Sequence, residues 1–397
     1  MTQIVSRLVS LATLTGMRIS RLAAPERSAW VLSLLLLGCS GGGAKDGGSD
    51  GPAVTGQWVL AASGLPAEQV EALAVDPSNP MTVYAGFLDA TMGVGAGVGG
   101  GIYRTSNGGT SWSAANDGVV VPGVVASGPP AIFSLSIDKL QPQTLYAGGD
   151  YGLWKSIDGG ASWSSFGGVA DGGDQAPDLN ASQTVVAVDP NNSKHVYVGA
   201  HFGLYVTSDA GSTWNNLLPG PPVNAGEIAF DPVHAGTVYA RADGNYERIT
   251  NDTQVTGLDT AQMTGNSGVV DPTGALYLYA AETTSTTIEE VLVSTDEGST
   301  WTHADSGLSG ALSTLPSLSF AANPPVAGAL YAVLQQPQST NASAPPLGRL
   351  FRFQNGSWSD VTGTLPPQIC IVATGTSDPE TIYVGTTDGR VFRSNGG

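Results

Sequence analysis

One order of residues recurs along the chain after residue 55, and this recurrence limits the possible folds more than any other feature. Asp189-Pro190 is followed by Val196-Tyr197-Val198-Gly199, then Gly203-Leu204-Tyr205, then the run Ser208 to Trp214. An Asp-Pro or its equivalent ahead of a Tyr-bearing strand returns at Asp76/Tyr84, Asp138/Tyr146, Asp189/Tyr197, Asp231/Tyr239, Asp271/Tyr279, Asn323/Tyr331 and Asp378/Tyr383. These seven tyrosines are spaced by roughly 40 to 60 residues, the size of a supersecondary unit that buries its apolar faces only by stacking on its neighbours. No i, i+3, i+4, i+7 apolar stripe competes with this pattern, and 54 glycines, 25 prolines and 12% charged residues suit short strands joined by tight turns. The expected fold is all-β: a single β-propeller of about seven four-stranded blades.

A second element keeps phase with the tyrosines. Its copies are Ser106-Asn107-Gly108-Gly109-Thr110-Ser111-Trp112, Ser156 to Trp163 around Asp158, Ser208 to Trp214 around Asp209, and Ser294 to Trp301 around Asp296. Asp or Asn can bond backbone N–H groups two residues on, glycine takes the positive φ of a tight hairpin, and the hydroxyls can satisfy backbone inside the loop. The Trp opens the next strand and covers the turn with an apolar face. Two units are degenerate, because Ile249-Thr250-Asn251-Asp252 lacks the Trp and the run Phe353 to Trp358 lacks the Asp.

These turns resemble the Asp-box, or BNR repeat, of sialidase-type, sortilin-type and xyloglucanase-type propellers and of a photosystem II assembly factor. The resemblance implies a structural clasp at each turn (Ser106, Asn107, Trp112; Ser156, Asp158, Trp163; Ser208, Asp209, Trp214; Ser294, Asp296, Trp301), not a ligand site. In the third unit the strands are expected as a, Thr184 to Val188; b, His195 to Gly199; c, Gly203 to Thr207; and d, from Trp214. The domain opens at residues 56–66 as a strand d with nothing before it, and closes at Arg390 to Gly397 as a strand c with no strand d. Pairing the two ends would leave no open sheet edge.

The first 55 residues read as an address. Arg18, Arg21 and Arg27 precede an apolar run from Ala29 to Leu37, too short for a membrane span but suited to a signal-peptide core. Leu36-Leu37-Gly38-Cys39 resembles the lipobox of bacterial lipoproteins, which implies cleavage after residue 38, lipidation of Cys39 and a flexible Gly/Ser linker over residues 39–55 before a propeller at 56–397. Met17 is an alternative start. Ser40 after the cysteine favours the outer membrane, so an extracytoplasmic, lipid-anchored protein at the cell surface is expected.

Beyond Cys39 the 11 basic and 32 acidic residues leave a charge of −21. Nucleic acid binding requires clustered Lys and Arg, so it is excluded. The four histidines lack metal-ligand spacing, and Cys370 in its apolar run reads as a buried thiol. Gly95 to Gly100 fits a dinucleotide fingerprint by letter but precedes a strand and reads as a b–c loop, so no cofactor is expected.

By resemblance, ligands meet the face carrying the b–c and d–a loops. It is expected to gather Asp89, Asp150, Tyr151, His201, Phe202, Asp243, Tyr246 and Asp388, with Asn116, Asp117, Asp171, Asp174, Asp178 and Asp305 behind them. A carboxylate-lined mouth with aromatics suits a sugar or a cation, while ordinary solvated turn residues are the alternative. A glycosidase needs two carboxyl groups, one with a raised pKa, and Asp150 and Asp388 are the candidates. The seven arginines left offer no sialidase-type triad, and xyloglucanase-type enzymes place their cleft between two propellers where this length allows one. The resulting expectation is a noncatalytic, monomeric surface platform for an envelope protein or glycan, touching membrane through its anchor alone. The alternative is a glycoside hydrolase of extracellular polysaccharide.

Overall fold

In this computed structural model the described residues are 58–88, 100–120, 128–150, 152–166, 184–200, 203–218, 225–242, 244–258, 263–282, 289–312, 317–321, 329–336, 347–375 and 381–394. They form seven four-stranded antiparallel sheets arranged as the blades of a propeller. The chain opens with β1 (Trp58–Leu60). Blade 1 follows as β2 (Val70–Val75), β3 (Val83–Phe87), β4 (Gly101–Thr105) and β5 (Ser113–Ala114). Blade 2 is β6 (Ile132–Ile137), β7 (Leu145–Gly149), β8 (Gly152–Ser156) and β9 (Ser164–Ser165). Blade 3 is β10 (Val185–Asp189), β11 (Asn192–Ala200), β12 (Gly203–Thr207) and β13 (Asn215–Asn216). Blade 4 is β14 (Ala225–Phe230), β15 (Thr237–Ala242), β16 (Asn245–Thr250) and β17 (Gln254–Gly257). Blade 5 is β18 (Met263–Val270), β19 (Leu276–Glu282), β20 (Glu289–Ser294) and β21 (Thr302–His303), after which one turn of helix, α1 (Ser309–Leu312), leads on. Blade 6 is β22 (Ser317–Phe320), β23 (Leu330–Gln335), β24 (Gly348–Gln354) and β25 (Ser357–Asp360). Blade 7 is β26 (Ile369–Thr374), β27 (Ile382–Thr386) and β28 (Val391–Ser394), completed by β1 from the other end of the chain.

That completion is in register: Trp58 lies opposite Ser394, Val59 opposite Arg393 and Leu60 opposite Phe392. The ring is therefore closed by hydrogen bonding between strands 300 or more positions apart, and β28 has no free edge.

The recurring tyrosines are the bolts between blades. Tyr84, Tyr146, Tyr197, Tyr239, Tyr279 and Tyr383 are fully buried on their b strands. The Tyr84 hydroxyl donates to Gly159 O in the c–d turn of blade 2, at 2.8 Å, and Tyr383 donates to Pro80 O of blade 1, at 2.9 Å. The tryptophans act in the other direction. Trp112, Trp163 and Trp358 donate their indole N–H to Ala61 O, Ala115 O and Ala304 O, each on strand d of the preceding blade or just beyond it.

The four clear c–d turns share one network. In blade 2, Ser156 Oγ donates to Asp158, Gly160 N donates to Ser156 Oγ at 2.9 Å, and Ser162 N donates to Asp158 Oδ1 at 2.9 Å. Ser294 and Asp296 repeat this in blade 5. In blades 1 and 3 the hydroxyl belongs to Thr105 and Thr207, which correct the expectation of Ser106 and Ser208 by one position. The acceptor also reaches a backbone N–H four residues on, not two, because the turn folds back over its own side chain. Hydrogen bonds from Ser162, Thr213 and Thr300 hold Asp158, Asp209 and Asp296 down at about 2, so they stay ionised.

The degenerate turn of blade 4 has been put to another use. Asn251 and Asp252 both take positive φ, and Asp252 reaches back to blade 3, where it accepts from Tyr197 Oη. His195 lies between Asp189 (Nδ1 to Oδ2, 2.9 Å) and Asp252 (Nε2 to Oδ2, 3.0 Å). Burial opposes a charge on this ring, but the bonds to Asp189 and Asp252 outweigh it and lift the pKa to about 9. The raised folded-state value means this stabilisation is complete below pH 6.5 and is lost as pH rises to about 9. We expect His195→Gln to cost about 2 kcal/mol at pH 6 and little at pH 9.5, measured by urea unfolding at both values. Equal losses at both would remove the imidazolium from the account.

Candidate functional site

The a–b and c–d turns gather on one face, as Gly108 N to Met81 O (2.8 Å) and Gly159 N to Gln143 O (2.9 Å) show. The b–c and d–a connections gather on the other, tied by Leu88 N to Gln69 O, Thr387 N to Gln368 O and Asp150 N to Ala131 O. Neighbouring blades approach one another chiefly through their a strands, which therefore surround the centre.

Of the residues expected at this mouth, Asp89, Tyr151, His201, Phe202, Asp243, Asp171, Asp174 and Asp178 lie outside the described residues, as does Cys39. Asn116 is structural: its Oδ1 accepts from Ile102 N at 2.7 Å. Asp117 O and Asp305 O receive Trp163 N and Leu308 N. Asp150 is half-buried at the end of β7, in the turn into β8. Tyr246 is a correction. It is 3% exposed and donates its hydroxyl to the carboxylate of Glu227, so its ring is not offered to a ligand. Strand c of this blade puts it into the blade 4–5 seam, where Gly268 leaves room for the ring.

A feature of the a strands was not anticipated. Five of them slip register near their first residues, which leaves one extra residue each: Glu71, Phe133, Glu227, Asn266 and Cys370. A bulge turns a side chain that the pleat would have placed otherwise, and bulges concentrate beside active sites. All five sit at the b–c/d–a end of their strands. Alternating apolar residues hide such a register slip, so no periodicity in the sequence announces it.

Two bulge positions carry carboxylates with contrasting surroundings. Glu227 is tied down: Ser267 Oγ (2.9 Å), Gly268 N (3.1 Å) and Tyr246 Oη all donate to it. Burial raises its pKa against the opposing charge of Arg241 and these bonds. Its partners explain it as a buried acceptor for the inner edge of blade 5. Ser134 and Ser136 do the same for Val186 N and Val188 N of blade 3.

Glu71 is different. It is half-buried, no hydrogen bond to its carboxyl is present among the described residues, and burial alone lifts its pKa to about 7. Next to it stands Cys370, whose single S–H is shared between Val70 O (3.3 Å) and Gly385 O (3.4 Å). Burial, then the charges of Glu71 and Asp388, push this thiol well up, so it is inert. In the b–c turn of the same blade Asp388 accepts from Thr386 Oγ1 (2.6 Å) and from Arg390 Nε (3.0 Å) and Nη2 (2.7 Å). Partial burial opposes its charge, but the bonds from Arg390 and Thr386 prevail and lower its pKa. The seam between blades 7 and 1 thus holds one acid that titrates near neutrality and one kept ionised. Such a split is what an acid–base pair requires. Among the described residues no group of three or more His, Cys, Asp or Glu is placed to hold a metal ion.

The remaining arginines are committed elsewhere. Arg104 and Arg352 lie over the rings of Tyr84 and Tyr331, Arg248 pairs with Glu297, Arg349 with Asp360, and Arg393 donates to the Met81 sulfur.

Comparison with known proteins fits this architecture. No family model matches the chain. A xyloglucanase of Hypocrea jecorina is 30% identical over 176 residues, covering 38% of this chain and 20% of that protein. A xyloglucanase of a Paenibacillus species is 27% identical over 216 residues, covering 51% and 19%. The match thus spans about a fifth of the length of these curated relatives. The GH74 xyloglucanase from Xanthomonas campestris superimposes with a TM-score of 0.56 at 14% identity, over 84% of this chain and 53% of that one. The Niastella koreensis GH74 enzyme gives 0.59 at 17%, over 83% and 53%. YCF48 bound to D1 peptide gives 0.56 at 15%, over 85% and 96%.

The fold is that of the xyloglucanase and YCF48 propellers.

The propeller therefore matches about half of each GH74 chain and nearly the whole of YCF48. Both curated sequence relatives are xyloglucanases, and this overturns the expectation of a noncatalytic platform in favour of the alternative, a glycoside hydrolase.

Proposed function

We propose that this chain is a glycoside hydrolase acting on extracellular polysaccharide, with xyloglucan the first substrate to try. The observation that carries the reading is the sequence similarity to two xyloglucanases. The seam cluster supplies a chemistry for it. Glycosidic cleavage needs a carboxylic acid to protonate the leaving oxygen and a carboxylate to act as base or nucleophile. Glu71, whose raised pKa of about 7 keeps it protonated below neutrality, takes the first role, and Asp388, held ionised by Arg390 and Thr386, takes the second. Asp150, on the same face in blade 2, is the reserve candidate for the carboxylate.

A polymer cannot cross a bilayer, so the proposed substrate requires a protein outside the cytoplasm. We assign the export and the lipid anchor to the leader and Cys39; among the described residues no helix is long and apolar enough to cross a membrane.

The purified protein, incubated with xyloglucan and a panel of other β-glucans, is expected to release new reducing ends. Asp388→Asn is expected to lower kcat by about a hundredfold or more. A folded protein that releases nothing from any of these polymers would overturn the reading. Activity untouched by Asp388→Asn would move the carboxylate role to Asp150.

A further inference from the structure

We infer that the face carrying the a–b and c–d turns is a membrane-docking surface, which lays the propeller on the lipid and turns the opposite mouth outward. The inference rests on the lipid anchor assigned above to Cys39.

Four exposed apolar side chains mark the face, Val233 of blade 4 among them at 53%. Ile157 is 73% exposed, Leu140 57% and Met81 37%. Ile157 owes its position to the turn: its neighbours Ser156 and Asp158 bond to each other inside the loop, which leaves the intervening side chain pointing away. Leu140 crowns the a–b turn of the same blade, where its N–H donates to Asp138 Oδ1 at 2.9 Å. Gly159 N to Gln143 O joins these two turns, so both side chains project from one blade tip. Neither residue contributes to the core, and a solvated turn has no need of leucine or isoleucine at its tip.

The path of the chain says what covers this face. Strand d of each blade runs from the c–d turn toward the mouth. β1 is such a strand, so Trp58, opposite Ser394 at the end of β28, enters at the turn face. Met81 is adjacent, because Arg393 Nη1 donates to its sulfur at 3.2 Å. The 18 residues from Ser40 to Gln57 precede Trp58, rich in Gly and Ser near Cys39. A flexible chain of that length has a root-mean-square reach of roughly 25 Å. A lipid on Cys39 thus holds the turn face within a short distance of the bilayer, at high effective concentration, whereas the mouth lies on the far side. Apolar tips on such a face can enter the interfacial layer, with affinity scaling with the apolar area buried.

Charge selects the lipid. Asp158, Asp209 and Asp296 stay ionised on this face, so zwitterionic lipid should be bound better than anionic lipid.

The test uses the full chain, acylated in cells and reconstituted on phosphatidylcholine vesicles. An environment-sensitive fluorophore is placed at Ile157→Cys, and in a second protein at Val120→Cys, an exposed position near the mouth. Cys370 is half-buried with a raised thiol pKa, so labelling is selective. Blue-shifted emission at 157 and none at 120 is expected. Leu140→Asp in the 157-labelled, unacylated Cys39→Ser chain is expected to raise the half-saturating lipid concentration about fivefold. Phosphatidylglycerol vesicles should weaken the shift.

Vesicle-bound protein with unshifted emission at 157 would overturn the docking face while leaving the anchor and the hydrolase reading intact. If mass spectrometry finds Cys39 unmodified, the anchor fails by itself. The Cys39→Ser chain at excess lipid then decides the face: a shift at 157 alone keeps it, and no shift ends it.

Discussion

Removing residues 56–65 is expected to abolish the cooperative unfolding transition of the protein, whereas removing ten residues of the Gly/Ser linker should leave its midpoint unchanged. The asymmetry follows from what the short first strand touches. β1 gives blade 7 its fourth strand, and the segment behind it seats blade 1. Ala61 N donates to Val391 O, Ala61 O takes the Trp112 indole, and Ser63 O takes Trp112 N. Gly64, at φ 93°, is pressed against the Trp112 carbonyl, where an added Cβ would lie 2.5 Å from the oxygen. Without this segment β28 becomes an open edge, Trp112 loses its partners, and two neighbouring blades lose their seam. Stabilities of ordinary domains are about 5–15 kcal/mol, and losing several buried hydrogen bonds and an apolar seam consumes most of that. Differential scanning calorimetry of the two deletions reads the result. A truncated protein that melts as the parent does would mean the ring is not held by its ends.

Glu71→Gln moves activity and stability in opposite directions. As proton donor, Glu71 works only while protonated, so the parent enzyme should lose activity as pH rises through about 7. Gln cannot donate the proton: kcat is expected to fall by about 10² or more at pH 6, with KM little changed and the alkaline limb gone. Stability responds differently. The folded-state pKa lies above the ordinary value of 4.5, so below pH 4.5 the group is neutral in both states and costs nothing. As pH rises from 4.5 to about 7 the unfolded chain releases the proton while the folded one retains it, and the fold loses up to about 3 kcal/mol. Gln escapes that loss, so the variant should melt higher than the parent at pH 8 and equally at pH 4. A residue with a merely structural role would not trade stability for activity in this way. If Glu71→Gln retains the parent's kcat and pH profile on a polysaccharide that the parent cleaves, the acid role is gone.

Much of this architecture could be read from residue order. The Tyr strands, the turn runs ending in Trp, and the unmatched strand c and strand d at the two ends were enough to specify seven blades and the pairing of β1 with β28. They suffice because each blade is a local unit whose turns are encoded by neighbouring residues. Even the one-position error at Ser106 and Ser208 is local: the runs Thr105-Ser106 and Thr207-Ser208 offer two hydroxyls, and geometry selects the first of each.

The site was legible only in part, for a different reason. Asp388 could be found because it sits in a turn whose position the repeat predicts. Glu71 and Cys370 could not, since a register slip in β2 and β26 re-aims them, and they meet only once the ring has closed. Tyr246 failed in the same way: counting strands put it at the mouth, and the seam between blades 4 and 5 drew it inside. Residue order determined the seven units, their turns and the way the ends join, because those depend on contacts within a blade or on matching edges. Only the assembled ring decided which acid loses its water, because burial at the seam comes from residues some 300 positions apart, whereas the cation on Asp388 is Arg390 of its own turn.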